Sequence, residues 1–148
     1  MFQGETAITI DDKGRLAVPT AFRELIAKTC GGRLVFTYNP FELGSLWLFP
    51  LGEWETLRDQ VNALPGVKAV HRAMQMKVVG AAAHVELDSA ARILVPASQR
   101  ATVGIDRKAV LLGMGAKFEL WSEQAHLAKM HQVIREEDIS DDMMSLNL

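Results

Sequence analysis

Arg15 and Arg92 each follow an aspartate by four residues, in Asp11-Asp12-Lys13-Gly14-Arg15 and in Asp88-Ser89-Ala90-Ala91-Arg92. An arginine guanidinium is a rigid fork that grips a guanine edge or a phosphate through two parallel hydrogen bonds, and a neighbouring carboxylate can hold it in position. The same two groups can equally form a structural salt bridge across a turn, and the residues alone leave both roles open. Lys13, at the tip of the first turn, suits a phosphate contact or plain solvation. Arg23 and Arg100 follow the two signature arginines by eight residues each, and could face an anionic partner, a neighbouring subunit or water.

These residues belong to a repeated unit. Asp11, Arg15, Pro19 and Arg23 recur 77 residues later as Asp88, Arg92, Pro96 and Arg100, which implies duplicated architecture and one composite surface. Thr6 to Ile10 alternates as a half-buried strand does, and Asp12-Lys13-Gly14 reads as a tight turn. Arg15 to Val18 then returns as the second strand of a hairpin. Pro19 stops it and starts a short helix, Thr20 to Lys28, with Phe22, Leu25 and Ile26 facing inward. Strands follow over Arg33 to Tyr38 and Ser45 to Phe49. The second unit repeats this order: His84 to Leu87 with Arg92 to Val95, a helix to Val103, then strands Lys108 to Leu112 and Lys117 to Trp121.

Between the units, Leu51 to Leu64 and Val67 to about Lys77 read as helices, the second presenting Val67, Val70 and Met74 on one face. Ser122 is placed to cap a last helix reaching about Glu136, with Ala125, Leu127, Met130 and Ile134 available for burial. The organisation expected is a first repeat over 1–50, a helical connection over 51–79, a second repeat over 80–122, and a C-terminal helix with an acidic tail over 123–148. Neither half looks able to bury its strands alone. The economical fold is β-rich α+β, with duplicated β-hairpin–helix–β-β units pairing into one split barrel flanked by helices.

The 148 residues are 49% apolar, enough for an ordinary core, and no apolar run approaches membrane-spanning length. The start lacks the pattern of a signal peptide, and Cys30 is the single cysteine, so a reducing cytoplasmic setting is the default. The net charge of −2 conceals a split. Five acids and no bases lie from Glu136 onward, leaving +3 over the first 135 residues. Lys28 and Arg33 extend the positive charge of the first unit. Lys68, His71, Arg72 and Lys77 form a basic stripe at helical spacing, either a phosphate track or a solvated face. Trp47, Trp54 and Trp121, with Phe49 and Phe118, suit core and subunit packing better than base stacking.

An enzyme is not expected. His126 and His131 fall about 140° apart on a helix, poor geometry for zinc. His71 and His84 lack carboxylate partners in sequence, Cys30 lacks an activating pattern, and neither a phosphate-binding loop nor a nucleophile elbow is present. No catalytic residue, metal, cofactor or small-molecule substrate is therefore assigned.

The opening Met-Phe-x-Gly, the two Asp-x-x-x-Arg units ending in Val-Pro, and Lys117-Phe118-Glu119-Leu120-Trp121 together resemble the MraZ family of bacterial transcriptional regulators. The resemblance runs from Met1 to about Trp121. It implies two AbrB/SpoVT-type half-domains pairing within one chain, a ring-shaped homo-oligomer, and binding to short direct repeats in promoter DNA of cell-division and cell-wall genes, most simply as a nucleoid-associated repressor. The family's signature lands on Asp11/Arg15 and on Asp88/Arg92, with Gly14 before the first arginine; with Lys13 and Arg23 added from their own positions, the candidate DNA contacts are Lys13, Arg15, Arg23 and Arg92, supported by Asp11, Gly14 and Asp88. The second unit departs from the family pattern: Ala91 stands where Gly is usual, and Ala90 where the first unit has Lys13. The first unit is accordingly expected to contribute more to DNA contact. The competing readings are an AbrB/MazE-like antitoxin, bound to its partner through a tail, and an oligomeric scaffold that binds no DNA.

Overall fold

The structure is a computed structural model describing residues 1–148. Its first repeat contains β1 (Phe2–Thr9), β2 (Arg15–Ala17), α1 (Thr20–Cys30), β3 (Arg33–Tyr38) and β4 (Ser45–Pro50). Helices α2 (Leu51–Asn62) and α3 (Ala69–Gln75) and a π-helical turn, Met76–Gly80, lead to the second. That repeat contains β5 (Ala83–Glu86), β6 (Arg92–Leu94), α4 (Ala97–Val103), β7 (Lys108–Gly115) and β8 (Phe118–Ser122). Helix α5 (Glu123–Met130) and two short 3-10 turns at Glu136–Asp138 and Asp141–Met143 complete the chain. Pro19, Pro50 and Pro96 each stand immediately before a helix. A fixed φ near −55° suits that junction, and the missing N–H lies where a helix has no partner for it.

The two hairpins expected from the sequence do not form as hairpins. Their turns close, with the Asp11 N–H donating to the Arg15 carbonyl and the Asp88 N–H to the Arg92 carbonyl, both at 2.9 Å. Beyond that bond the strands part, and each first strand pairs with the other repeat. β1 runs antiparallel to β7, β5 to β3, and β2 to β6. The physical reason is burial. A hairpin kept within one repeat would cover only half a core, whereas exchange joins the strands of both repeats into one sheet and encloses one cluster of 19 buried apolar residues.

The result is a six-stranded antiparallel sheet of order β1-β7-β8-β4-β3-β5, with β2 and β6 as a separate two-stranded ribbon. The order is symmetric when equivalent strands of the repeats are exchanged. The pseudo-two-fold axis passes between β4 and β8 and through the pair Leu16 and Ile93, which face each other across the ribbon and are themselves 77 residues apart. Both are essentially fully buried, at 0% and 1% exposure, so the ribbon is fastened to the barrel by its inner face. Burying side chains of this size stabilises by about 1.5–3 kcal/mol each. Phe2, Phe22 and Phe118 pack ring against ring at one end of the core, their centroids 4.1 to 6.2 Å apart. The fold is the AbrB-like α+β arrangement expected.

A second, smaller cluster of Val35, Phe49 and Trp54 sits beneath α2. There the Trp54 indole N–H donates to the Val78 carbonyl at 3.0 Å and ties down the π-helical turn. The connecting helix is shorter than its periodicity suggests. Val67 and Val70 are exposed and only Met74 of that apolar face is half-buried, because α3 packs on α2 through little more than its C-terminal end. Helix α5 is also shorter. Ser122 caps it as expected, its hydroxyl accepting the Ala125 N–H at 3.2 Å, but it ends at Met130. Leu127, Met130 and Ile134 are exposed, while His126 is the residue turned inward, its Nε2 facing Glu5 Oε1 at 3.0 Å. In the tail of short 3-10 turns Ile139 is exposed and Met143 half-buried.

Candidate nucleic-acid interface

Each turn is organised by one aspartate. Asp11 Oδ1 accepts the backbone N–H groups of Lys13 at 3.0 Å and Arg15 at 2.9 Å, while its Oδ2 accepts the Arg15 Nε–H at 2.9 Å. Asp88 repeats this with Ala90 and Arg92, both at 2.9 Å, and with the Arg92 Nε–H at 3.0 Å. Both carboxyls are held below the ordinary aspartate range. The backbone N–H of the signature arginine is the largest cause; slight burial opposes it, and the remaining bonds and the guanidinium charge add to it. The ion-pair reading of the motif is therefore present, and it does not use up the arginine. With Nε occupied, the two terminal nitrogens of each fork remain free to donate to an acceptor. Arg15 and Arg92 side chains are 29% and 35% exposed, reaching outward from a fixed base.

The ribbon brings the two arginines together. Its register opposes Arg15 to Leu94, Leu16 to Ile93 and Ala17 to Arg92. Since strand residues alternate in direction, Leu16 and Ile93 point inward and Arg15, Ala17, Arg92 and Leu94 share the outer face. Two further bonds lock the ends, Val18 N–H to the Ala91 carbonyl and Val95 N–H to the Gly14 carbonyl, both 2.9 Å. A two-stranded ribbon of this kind can enter a major groove, with a side-chain fork at each end of its outer face.

Lys13 stands exposed at the first tip. Its neighbour Asp12 is paired with Arg107 Nη1 at 3.1 Å, a contact between repeats that leaves the Lys13 charge less opposed. The sequence reading missed Arg107, because nothing local links it to a turn 95 residues away. Arg23 and Arg100 are more constrained than solvated side chains. Each donates Nε–H to the carbonyl before the helix-starting proline, Val18 at 2.8 Å and Val95 at 3.1 Å. The Arg100 guanidinium also lies over Gly14, so the helix of one repeat braces the turn of the other.

Gly14 has φ +85°, and Ala91 is the sole non-glycine residue with positive φ, at +57°. The second turn thus adopts the same left-handed conformation as the first with an alanine in it. Lys28 pairs with Glu24 at 3.2 Å, and Arg33 is exposed at the start of β3. His71 Nδ1 lies 2.8 Å from the Pro65 carbonyl, and the basic stripe is divided: Lys68 precedes α3 in extended conformation, His71 and Arg72 lie within α3, and Lys77 lies in the π-helical turn. Trp54 and Trp121 are buried; Trp47 is half-buried, and both Trp47 and Trp121 donate their indole N–H to Glu119, at 3.1 and 3.0 Å. No three His, Cys, Asp or Glu side chains converge as metal ligands, and no helix is long and apolar enough to cross a membrane.

Comparison with known proteins agrees with the duplicated architecture. A family model described as an MraZ protein of antitoxin-like type matches twice, over residues 1–77 and 78–145. The chain is 60% identical to the transcriptional regulator MraZ of Stenotrophomonas maltophilia and 57% identical to that of Xanthomonas campestris pv. campestris, in each case over the full length of both proteins. It is 42% identical to the transcriptional regulator MraZ of Marinobacter nauticus, over 99% of this chain and 98% of that one. With its signature turns, its crossed repeats and its full-length relatives all in agreement, the chain belongs to the MraZ family.

Proposed function

We propose that the protein is a sequence-specific DNA-binding transcriptional regulator, without enzymatic activity, acting in the cytoplasm at the nucleoid. The observation that carries this reading is the pair of aspartate-anchored arginines on the outer face of the β2–β6 ribbon, each with its terminal nitrogens unengaged. The names of the relatives support it. Arg15 and Arg92 read base edges; Lys13 contacts a phosphate and sets register; Arg23 and Arg100 brace the turns and add positive charge beside them.

The first turn contributes more than the second. The geometry of the two carboxylate clamps is the same within 0.1 Å, so the difference is Lys13 against Ala90. One weakly cationic ribbon per chain binds poorly. A ring of copies presenting several ribbons to tandem promoter repeats gains avidity without new contacts, which reconciles a net negative chain with an anionic partner. Repression of cell-division and cell-wall genes is the regulatory outcome that fits.

The test is a titration of wild type, Arg15→Ala and Arg92→Ala against DNA from upstream of the protein's own gene, at low and moderate salt. Losing a bidentate base contact costs about 1–3 kcal/mol, roughly 5- to 150-fold in affinity. The expected result is such a loss for Arg15→Ala and a smaller one for Arg92→Ala. A larger loss from Arg92→Ala reverses the ranking of the turns. Salt-insensitive behaviour and no binding by any of the three favour the antitoxin or scaffold reading, for which the exposed Val133, Ile134 and Leu148 of the tail are the supporting observation.

A further inference from the structure

The two reading ends of the ribbon are not equivalent, and the difference is apolar. The pseudo-two-fold axis maps Arg15 onto Arg92 and Ala17 onto Leu94, so each arginine has an apolar neighbour directly opposite it. Arg15 faces Leu94, and Arg92 faces Ala17. The ladder bonds fall at the pairs Val18/Ala91 and Val95/Gly14, which leaves Arg15/Leu94 and Ala17/Arg92 as the non-hydrogen-bonded pairs between them. Such pairs bring Cα atoms to about 4.5 Å, the closest side-chain approach an antiparallel ladder offers. Leu94 is 53% exposed although its strand neighbours Ile93 and Val95 are buried at 1% and 0%. A lone exposed leucine is ordinary on a protein surface. One fixed at the end of a four-residue outer face, opposite an anchored arginine, has a defined geometry.

We infer that Leu94 is a specificity-determining residue that packs on a thymine 5-methyl group next to the base gripped by Arg15. This rests on the DNA-binding function proposed above. In the major groove an arginine fork reads guanine O6 and N7, and the thymine methyl is the one apolar group displayed there. An apolar side chain whose Cβ stands about 5 Å from that of the arginine, on the same outer face, is placed to meet the edge of a base beside the one the fork holds. Ala17, at the symmetric position, is too short to bury as much of that methyl. The ribbon therefore reads its two half-sites with unequal stringency: guanine plus thymine at the Arg15–Leu94 end, guanine with a weaker neighbour requirement at the Arg92–Ala17 end.

The test replaces every thymine in the upstream fragment by deoxyuridine, which removes the methyl groups and leaves the hydrogen-bonding pattern unchanged. Wild type and Leu94→Ser are titrated against both fragments, with Arg15→Ala as a reference. One buried methyl-sized group is worth about fourfold in affinity. The expected result is a loss of about fourfold or more for wild type on the uracil fragment, a similar loss for Leu94→Ser on the thymine fragment, and no further loss when the two are combined. Equal uracil penalties for wild type and Leu94→Ser overturn the assignment, as does wild-type affinity in Leu94→Ser. The wild-type comparison alone needs no variant, and a uracil fragment bound as tightly as the thymine fragment also overturns it. If Arg15→Ala binds the thymine fragment as wild type does, the DNA-binding reading of the ribbon itself has failed, and the Leu94 assignment falls with it.

Discussion

Exchanging the residue types of the two turns, Gly14→Ala and Ala91→Gly, should move stability in opposite directions. Gly14 has φ +85°, where an L residue is strained by about 1–2 kcal/mol. Alanine recovers about 0.4–1 kcal/mol by restricting the unfolded chain. The new Cβ would also stand 2.6 Å from Arg100 Nη2, 3.1 Å from Cζ and 3.3 Å from Nε. The guanidinium must withdraw, and its 3.1 Å bond to the Val95 carbonyl is lost or lengthened, at about 1 kcal/mol. Together the Gly14→Ala cost is about 1–2 kcal/mol, a drop in Tm of roughly 3–8 °C for a chain of this size. Ala91→Gly relieves the same backbone strain at φ +57° and gives back the entropy, for a gain of about 0.5 kcal/mol and a rise in Tm of roughly 1–2 °C. Thermal and urea unfolding at one protein concentration measure both, with an unchanged urea slope showing that only stability has moved. A Gly14→Ala protein melting with wild type, or an Ala91→Gly protein melting below it, refutes the argument that both turns need left-handed backbone.

Gly113 should be less tolerant still. A Cβ there would meet Gln3 N at 2.4 Å and the Phe2 carbonyl carbon at 2.7 Å, so backbone rather than a flexible side chain must yield. Gly113→Ala is expected to destabilise by about 2 kcal/mol or more by forcing β1 away from β7, read as a lowered urea midpoint. The aspartate clamps predict the acid limb of the stability curve. The Asp11 and Asp88 carboxyls are lowered in the folded protein, so their stabilisation is fully present above the unfolded value of about 3.9 and is lost as pH falls through the lower folded values. A double Asp11→Asn, Asp88→Asn variant should melt lower than wild type at neutral pH, and its Tm should fall less steeply between about pH 4 and pH 2.

The duplication, the fold class and the identity of most elements were legible because they rest on local signals: repeated spacing, alternation and proline punctuation. Strand partners were not. A period of two states which residues share a face, but not which strand lies alongside. Thr6–Ile10 and Arg15–Val18 look like the arms of a hairpin because a good turn joins them, and only burial across both repeats decides that β1 belongs with β7. The same limit hid Leu94, whose importance depends on lying opposite Arg15 in a ribbon built from two repeats. Over Ala125 to Ile134, helical spacing overstated burial because α5 stops at Met130 and nothing packs over Leu127. Asp11, Gly14, Arg15, Asp88 and Arg92 could be found in advance because a carboxylate clamp on a tight turn is a local structure, complete within five residues.

The central claim is that Arg15 reads a base through its fork rather than supplying charge alone, and Arg15→Lys tests it most directly. Lysine keeps the charge but loses the paired donors and the Nε anchored on Asp11. The measurement is the ratio of affinities for the upstream fragment and for a scrambled fragment of equal length and composition, at one fixed salt concentration. The account predicts that Arg15→Lys binds the scrambled fragment as wild type does, while its preference for the upstream fragment falls by tenfold or more. An undiminished preference in Arg15→Lys would contradict it.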